Sequence, residues 1–274
     1  MSSPRILMCP PTHYGIEYEI NAWMNRARQA DNSRARSQWE ALVAILQQCG
    51  TQTVTLKPSQ GVPDLVFTAN AALVYQNRVI LANFRHPQRQ IEQAINAKWF
   101  IENGFEVEYL PEEMFFEGAG DALFCGDTLF AGYRFRSHAR AHQQVGSRLG
   151  ARVIPVALVN DYYYHLDTCF CPISRTQAIY YPGAFDNYGI TVLQEHIPDL
   201  IEVSEDEAQQ FACNAVVVGT NVVTNVGCPE LHKALQKRGF QAHATPLDEF
   251  VKSGGSAKCL TLRLDGEEAA DWSD

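Results

Sequence analysis

Short runs of β-branched and apolar residues, each broken by a two- or three-residue turn, alternate along this chain with longer stretches whose apolar positions recur every three or four residues. In "NAVVVGTNVVTNVGCPELHKALQKRGFQAHATPL" two such runs flank Gly219, Thr220 and Asn221, which predicts a β-hairpin. "CPELHKALQKRG" then has Pro229 near its start, Leu231 and Leu235 one turn apart and Gly239 at its end, the start and stop signals of a helix. "FQAHATPL" supplies a closing strand.

The same order recurs in "DALFCGDTLFAGYRFRSHARAHQQVGSRLGARVIPVAL", with a hairpin turning at Gly126 and Asp127 and a helix ending near Gly150. It recurs again in "NAALVYQNRVILANFRHPQRQIEQAINAKWFIENGFEVEYL", turning at Gln76 and Asn77, and more loosely in "DTCFCPISRTQAIYYPGAFDNYGITVLQEHIPDLIEV". A fifth unit needs both chain ends: "CLTLRL" gives a first strand after residue 258, and "RILMCPP", the helix-like "SRARSQWEALVAILQQCG" and "TQTVTLKP" give the rest. Architectural repeats of this length indicate a radial or stacked assembly. The expectation is therefore an α/β fold: a five-bladed α/β propeller of ββαβ-type repeats, with residues 1–274 forming a single domain whose termini share one blade. An open α/β sheet is the competing arrangement. The hairpin before each helix favours the ring, because a parallel βαβ array has no need of one.

The formal charge of -9 argues against nucleic-acid binding, which needs clustered Lys and Arg, and suits a cationic small molecule. No apolar run approaches the roughly 18 residues that cross a bilayer, and "MSSPRILMCPPTHYG" lacks the pattern of a secretory leader. A soluble, unexported and hence cytoplasmic protein is expected, with no membrane partner; a homo-oligomer is left open. Eight cysteines scattered through a long chain read as reduced thiols rather than a disulfide framework. Cys169 and Cys171 in "DTCFCP" are the only close pair; on a strand they share a face, so buried thiols are expected and no metal site. Neither G-x-G-x-x-G nor G-x4-G-K-[ST] occurs, and no cofactor is expected.

If the five units are related by rotation, the segments leading into their first strands converge on the axis. Aligned on the hairpins, these are "FTAN" ending at Asn70, "EGAGD" from Glu117 to Asp121, "HLDT" from His165 to Thr168, "ACN" ending at Asn214 and "SAKC" ending at Cys259. Four of the five thus offer groups suited to catalysis or polar recognition: a carboxylate or two, a histidine beside an aspartate, a carboxamide and a thiol. A cysteine and a histidine far apart in sequence can form a nucleophile and acid/base pair once a fold makes them neighbours.

"FTAN", "EGAGD", "HLDT" and "GGSAKC", in this order and spacing, resemble the signatures of the guanidino-group-modifying enzymes of the pentein fold, which include arginine deiminases, dimethylarginine hydrolases and amidinotransferases. The resemblance covers nearly the whole chain and is nearest to the arginine dihydrolase branch, the N-terminal part of larger cyanobacterial arginine-catabolic proteins. It implies a hydrolase acting on L-arginine, and a chain that is either a natural short form or one domain of a longer protein ending in "DGEEAADWSD".

The resemblance also implies roles. Cys259 is the nucleophile at a strand start, approached through Gly254 and Gly255. His165 is the general acid and base, for which an imidazole pKa near neutrality is suited. Glu117 pairs with the guanidinium. Asp167, two residues after His165, faces the same way if both lie on a strand. Asp121 belongs to the same signature as Glu117 and fits an Asx-type role in its glycine turn. Arg89 and Arg136 match carboxylate-binding positions, with Arg85 and Arg134 as substitutes. Asp64 and Asn21 are expected at the substrate's α-amino group, and "THYGIEYEINAWM" as a flap over the site.

Asn70 stands where deiminases and dimethylarginine hydrolases carry an aspartate. A carboxylate only accepts hydrogen bonds, whereas a carboxamide also donates. The neutral residue can face the ureido oxygen left by a first hydrolysis, so a second hydrolysis to ornithine is expected. Competing readings are arginine deiminase stopping at citrulline, hydrolysis of methylated arginines, and a non-catalytic propeller that binds partners. The last has no use for Cys259, His165 and Glu117 together.

Overall fold

The computed structural model describes residues 3–271; Met1, Ser2 and the last three residues of "DGEEAADWSD" lie outside them. In chain order the elements are β1 (Arg5–Met8), α1 (Asn32–Gln48), β2 (Gln52–Thr55), β3 (Ala72–Tyr75), β4 (Arg78–Leu81), α2 (Pro87–Glu102), β5 (Glu106–Glu108), β6 (Ala122–Cys125), β7 (Thr128–Tyr133), α3 (Ala139–Leu149) and β8 (Arg152–Ala157). They continue with β9 (Phe170–Pro172), β10 (Gln177–Tyr180), α4 (Asn187–His196), β11 (Asp199–Glu202), α5 (Glu205–Gln209), β12 (Val216–Val218), β13 (Asn221–Asn225), α6 (Pro229–Lys237), β14 (Gln241–Thr245), α7 (Asp248–Val251) and β15 (Leu262–Arg263).

These strands form five separate three-stranded sheets: β15-β1-β2, β3-β4-β5, β6-β7-β8, β9-β10-β11 and β12-β13-β14. In every sheet the first pair is antiparallel and the second parallel, with the helix crossing between the parallel strands. This is the five-bladed α/β propeller, and an open sheet is excluded. The blade built from both ends pairs Ile6 with Arg263 and Leu7 with Leu262, so the two ends of the described chain close the ring.

The helices form for local reasons and stay for tertiary ones. In α1 the Asp31 carboxylate caps the N-H groups of Ser33 and Arg34, and Ala35, Gln38, Leu42 and Leu46 face inward at helical spacing. The cap contributes about 1 kcal/mol, whereas burying the two leucines contributes roughly 3–6 kcal/mol. Packing therefore holds this helix and the cap fixes where it starts. In α2 the inward face is polar at one end: Arg89, Glu92 and Asn96 are buried, while Ile91 and Ile101 are exposed. That inversion places charge near the axis.

Two local expectations fail. His165 and Asp167 are not on a strand: residues 166–168 form a 3-10 turn with three residues per turn, so side chains two apart diverge. Cys259 is likewise not at a strand start, since residues 257–260 form a turn and β15 begins at Leu262. All eight cysteines are free, and Cys169 and Cys171 are buried in the apolar core.

A buried carboxylate ties one of these turns to its blade. Glu207 of α5 accepts from the N-H groups of Glu230 (2.7 Å) and Leu231 (3.0 Å), capping α6 from outside, while its own carbonyl accepts from Ala212 in the turn leading to Asn214. Glu207→Ala leaves two helix N-H groups unpartnered and is expected to lower stability by about 1–3 kcal/mol, read as a drop in thermal midpoint. An unchanged midpoint contradicts the capping role.

Candidate active site

The five lead-in segments converge as hub turns. Residues Thr68–Ala71, Gly118–Gly120 and Leu166–Thr168 are 3-10 turns, and residues 211–214 and 257–260 are turns of the same length. Each hub turn is hydrogen-bonded to the next around the axis. The Ala69 N-H donates to the Cys259 carbonyl (3.2 Å), the Asn70 amide to the Glu117 carbonyl (3.3 Å), and the Leu166 N-H to the Asp121 carboxylate (3.1 Å). The Asn214 amide donates to the Asp167 carbonyl (2.9 Å), and the Lys258 N-H to the Asn214 carbonyl (3.2 Å), which closes the circle.

Within this belt sit the polar side chains. Glu117 is fully buried; its Oε2 accepts from Arg136 Nη1 (2.9 Å) and lies 2.7 Å from His165 Nε2, and its Oε1 accepts from the Arg85 N-H (3.2 Å). Burial alone would raise the Glu117 carboxyl, but the Arg136 guanidinium and then His165 hold it well below the usual range. Burial pushes His165 down to about 4 against the pull of Glu117, so at rest the imidazole is neutral. A carboxylate only accepts, so the neutral tautomer carries its proton on Nε2.

Cys259 is buried in another turn of the belt. Its Sγ lies 3.3 Å from Asp167 Oδ2 and accepts from Asn214 Nδ2 (3.1 Å), and the Asn214 Oδ1 accepts from the N-H groups of Ser256 and Cys259. Burial and then the Asp167 charge push the thiol well above its ordinary value. Burial also raises Asp167, to about 7. The Asp167 Oδ1 is buried with no protein partner. Thiol and carboxylate thus share a site that a cation would relieve.

Asn70 has a fixed orientation. Its Oδ1 accepts from Arg89 Nη1 (2.9 Å), and its Nδ2 faces the Glu117 carbonyl. A guanidinium only donates and a carbonyl only accepts, so the amide cannot flip. Arg89 in turn forks onto Glu92 (2.7 and 2.9 Å), donates to the Asp64 carbonyl and stacks over Phe84 at 4.6 Å. Arg89 and Arg136 are buried, while Arg85 and Arg134 are exposed, so burial selects the first two as the site's guanidinium groups. Both are already paired with internal carboxylates.

The remaining expected residues divide. Asp64 is buried with Oδ1 unpartnered beside Tyr18, and burial raises its carboxyl. Asp121 accepts from Leu166 N-H and Ser137 Oγ (2.6 Å), and Ser137 accepts from Glu117 N-H; its contacts hold the turns rather than face a ligand. Asn21 is engaged within the flap, where Oδ1 accepts from Trp23 and Met24 N-H and Nδ2 donates to the Ser253 carbonyl. The flap itself lies over the hub: Ile20 O accepts from Arg136 Nη2 (2.9 Å), Trp23 Nε1 donates to Tyr162 O (2.7 Å), and Tyr14 OH reaches Glu249 O and Ser253 Oγ (2.8 Å each).

Asn214 and Glu92 were not among the expected site residues. Asn214 had a signal, since it ends its lead-in segment in the sequence as Asn70 and Cys259 end theirs. Glu92 had one too, three residues after Arg89 on a helix. Among the described residues no group of three or more His, Cys, Asp or Glu is placed to hold a metal ion, and no helix is long and apolar enough to cross a membrane.

Comparison with known proteins agrees with this geometry. Residues 11–265 match the family described as N,N dimethylarginine dimethylhydrolase, eukaryotic. The bifunctional arginine dihydrolase/ornithine cyclodeaminase ArgZ of Synechocystis sp. is 46% identical over 265 residues, covering 95% of this chain and 37% of that protein. The N(G),N(G)-dimethylarginine dimethylaminohydrolase of Mycobacterium tuberculosis is 35% identical over 260 residues, 95% of this chain and 85% of that protein. A crystal structure of the N-terminal domain of ArgZ bound to substrate superposes with a TM-score of 0.93 at 44% identity, covering 98% of this chain and all of that one. The chain thus spans well under half the length of ArgZ.

Two glycines are required by close approach. A Cβ on Gly120 would lie 2.1 Å from Asn70 Nδ2, and one on Gly255 would lie 2.5 Å from the Phe67 ring and 3.2 Å from Cys259 Cβ. Gly120→Ala is expected to push the Asn70 amide off the Glu117 carbonyl and lower stability by about 1–3 kcal/mol, read as a drop in thermal midpoint with the circular dichroism spectrum unchanged. A midpoint equal to wild type contradicts the packing described.

Proposed function

The chain belongs to the N,N dimethylarginine dimethylhydrolase family, and on that premise we propose that it is an arginine dihydrolase, converting L-arginine and two waters to L-ornithine, carbon dioxide and two ammonia. Support comes from the likeness to ArgZ and from the side chains around the hub.

In this reading the guanidinium enters between Asp167 and Glu117, and its charge reverses the penalty on the Cys259 thiolate. The thiol proton passes to His165, whose imidazolium is stabilised by the Glu117 carboxylate at 2.7 Å. Sγ attacks the guanidinium carbon, and the tetrahedral adduct expels one nitrogen as ammonia with the proton held by His165. A water deprotonated by the now neutral His165 adds to the same carbon, the C-S bond breaks, and a ureido product remains. A second attack on that carbon expels the second ammonia and leaves a thiocarbamate. Water hydrolyses it to a carbamate, which loses carbon dioxide to give ornithine. Asp64 and the Tyr18 hydroxyl beside it are assigned to the α-amino group, Arg136 and Arg89 to the carboxylate end, and Asn21 to holding the flap that covers it.

The observation that carries the second hydrolysis is the locked Asn70 amide. Arg89 holds its oxygen, so its NH2 edge points toward Glu117 and keeps one hydrogen for a ureido oxygen. An aspartate would satisfy Arg89 equally but set an oxygen against the Glu117 carbonyl and repel the ureido oxygen.

Product identification by mass spectrometry tests this directly. Wild type incubated with arginine is expected to give ornithine and two equivalents of ammonia, and citrulline accumulating with little ornithine sinks the second hydrolysis. Faster turnover of dimethylarginine than of arginine moves the reading to the methylarginine hydrolases. Cys259→Ala is expected to release no ammonia.

Asn70→Asp is expected to stop at citrulline with one equivalent of ammonia. Continued ornithine formation by this variant removes Asn70 from the account.

A further inference from the structure

Past the hub turns, the first strands of four blades enclose a cavity of about 30 Å³, lined by Leu123 of β6, Cys171 of β9, Val217 of β12 and Arg263 of β15, with Lys258 and Glu267. It is closed by residues 265–271, which are pinned to β6's turn: the Gly126 N-H donates to the Ala269 carbonyl and the Asp271 N-H to the Gly126 carbonyl, both at 2.7 Å. Within it Lys258 Nζ contacts both carboxylate oxygens of Glu267, at 3.0 and 3.1 Å, with the two side chains only 9% and 13% exposed. Lys258 directly precedes Cys259. One turn therefore presents a thiol, 3.3 Å from Asp167, to the site and an ammonium to the cavity beyond it.

A nearly buried ion pair gains little over apolar residues of the same size, because both ions are desolvated. Its place under the nucleophile needs another reason. We propose that Lys258 and Glu267 are positioning residues that set the charge of Asp167 from beneath the reaction centre. The inference rests on the guanidinium-binding role given to Asp167 above.

The groups that act on Asp167 come from several elements: the Cys259 thiol and Lys258 from one hub turn, Asn214 from the next, Glu267 from the closing segment, Asp121 from the neighbouring blade, and Cys169 and Cys171 from Asp167's own blade. The cation among them is Lys258. It favours the Asp167 carboxylate against burial, and Glu267 opposes it. A carboxyl that titrates near neutrality is open to adjustment by one such charge.

The sign follows. Lys258→Met removes the cation and leaves Glu267 unopposed, so Asp167 holds its proton to higher pH. Glu267→Gln removes the anion, so Asp167 releases its proton at lower pH. Removing both charges returns the titration toward wild type. A purely structural pair does not behave this way, since both single variants then lose stability together without opposite shifts.

The test is the titration of the Asp167 carboxyl carbon by NMR in the protein labelled at aspartate carboxyls, assigned with Asp167→Asn and read without substrate. The midpoint is expected to rise by about half to one pH unit in Lys258→Met and to fall by about as much in Glu267→Gln, with the double variant between them and Lys258→Arg near wild type. Shifts in the same direction, or none in the near-isosteric Glu267→Gln, overturn the proposal. The acid limb of kcat/KM for ammonia release from arginine is expected to move with the midpoint. Midpoints that move while that limb stays fixed retain the electrostatic pair and instead remove Asp167 from the proposed reaction.

Discussion

A closed belt of hydrogen bonds around the axis is the constraint on which the site depends. Each of the five hub turns is too short to fix a side chain by itself, yet every one is held by the next, through a backbone N-H, an Asn70 or Asn214 amide, or the Asp121 carboxylate. Because the circle closes, no turn can tilt without breaking a bond at both of its neighbours. The thiol, the imidazole and the carboxylates therefore need no long rigid element behind them, only correct placement of small polar links. The two asparagines do double work, since one end of each amide closes the belt and the other meets Arg89 or the backbone at Cys259.

Charge is arranged around this belt to favour an incoming cation. Buried Asp64, Glu92, Glu117, Asp121 and Asp167 outnumber the buried guanidinium groups paired with them, Arg89 and Arg136. Arg89 is matched by Glu92, and Arg136 by Glu117. Arg89 also lies 3.9 Å from Asp64, so the buried carboxyl at the thiol, Asp167, is left with no protein cation at contact among the described residues. The overall acidity of the chain pointed weakly in this direction; the local surplus is the stronger physical statement.

The fold was legible because its signals are local. Hairpin turns such as Gln76-Asn77 and Gly126-Asp127, helix limits such as Pro229 and Gly150, and the order of elements recur along the chain, so even the blade split between the chain ends could be assembled. Convergence of the lead-in segments followed from symmetry. Directions inside them did not, because a period of two was assumed where the backbone makes a 3-10 turn. His165 consequently meets Glu117 while Asp167 meets Cys259. The pairings of Arg89 with Asn70, or of Lys258 with Glu267, depend on which long side chains share a buried space, which no pattern along the chain encodes.

The blade shared by both ends gives assembly of this fold a direction in time. Strand β1 finds one partner, β2, soon after it, but its other partner lies almost the whole chain away, in β15. Pairings so distant form slowly and late, and until then the edge of β1, with Ile6 and Leu7, has no ladder to join. Cys259 sits three residues before β15 and receives its Asn214 contacts only when that turn is seated. The Cys259 thiol is thus seated by the same event that seals the ring, and a chain still in the making carries no finished hub.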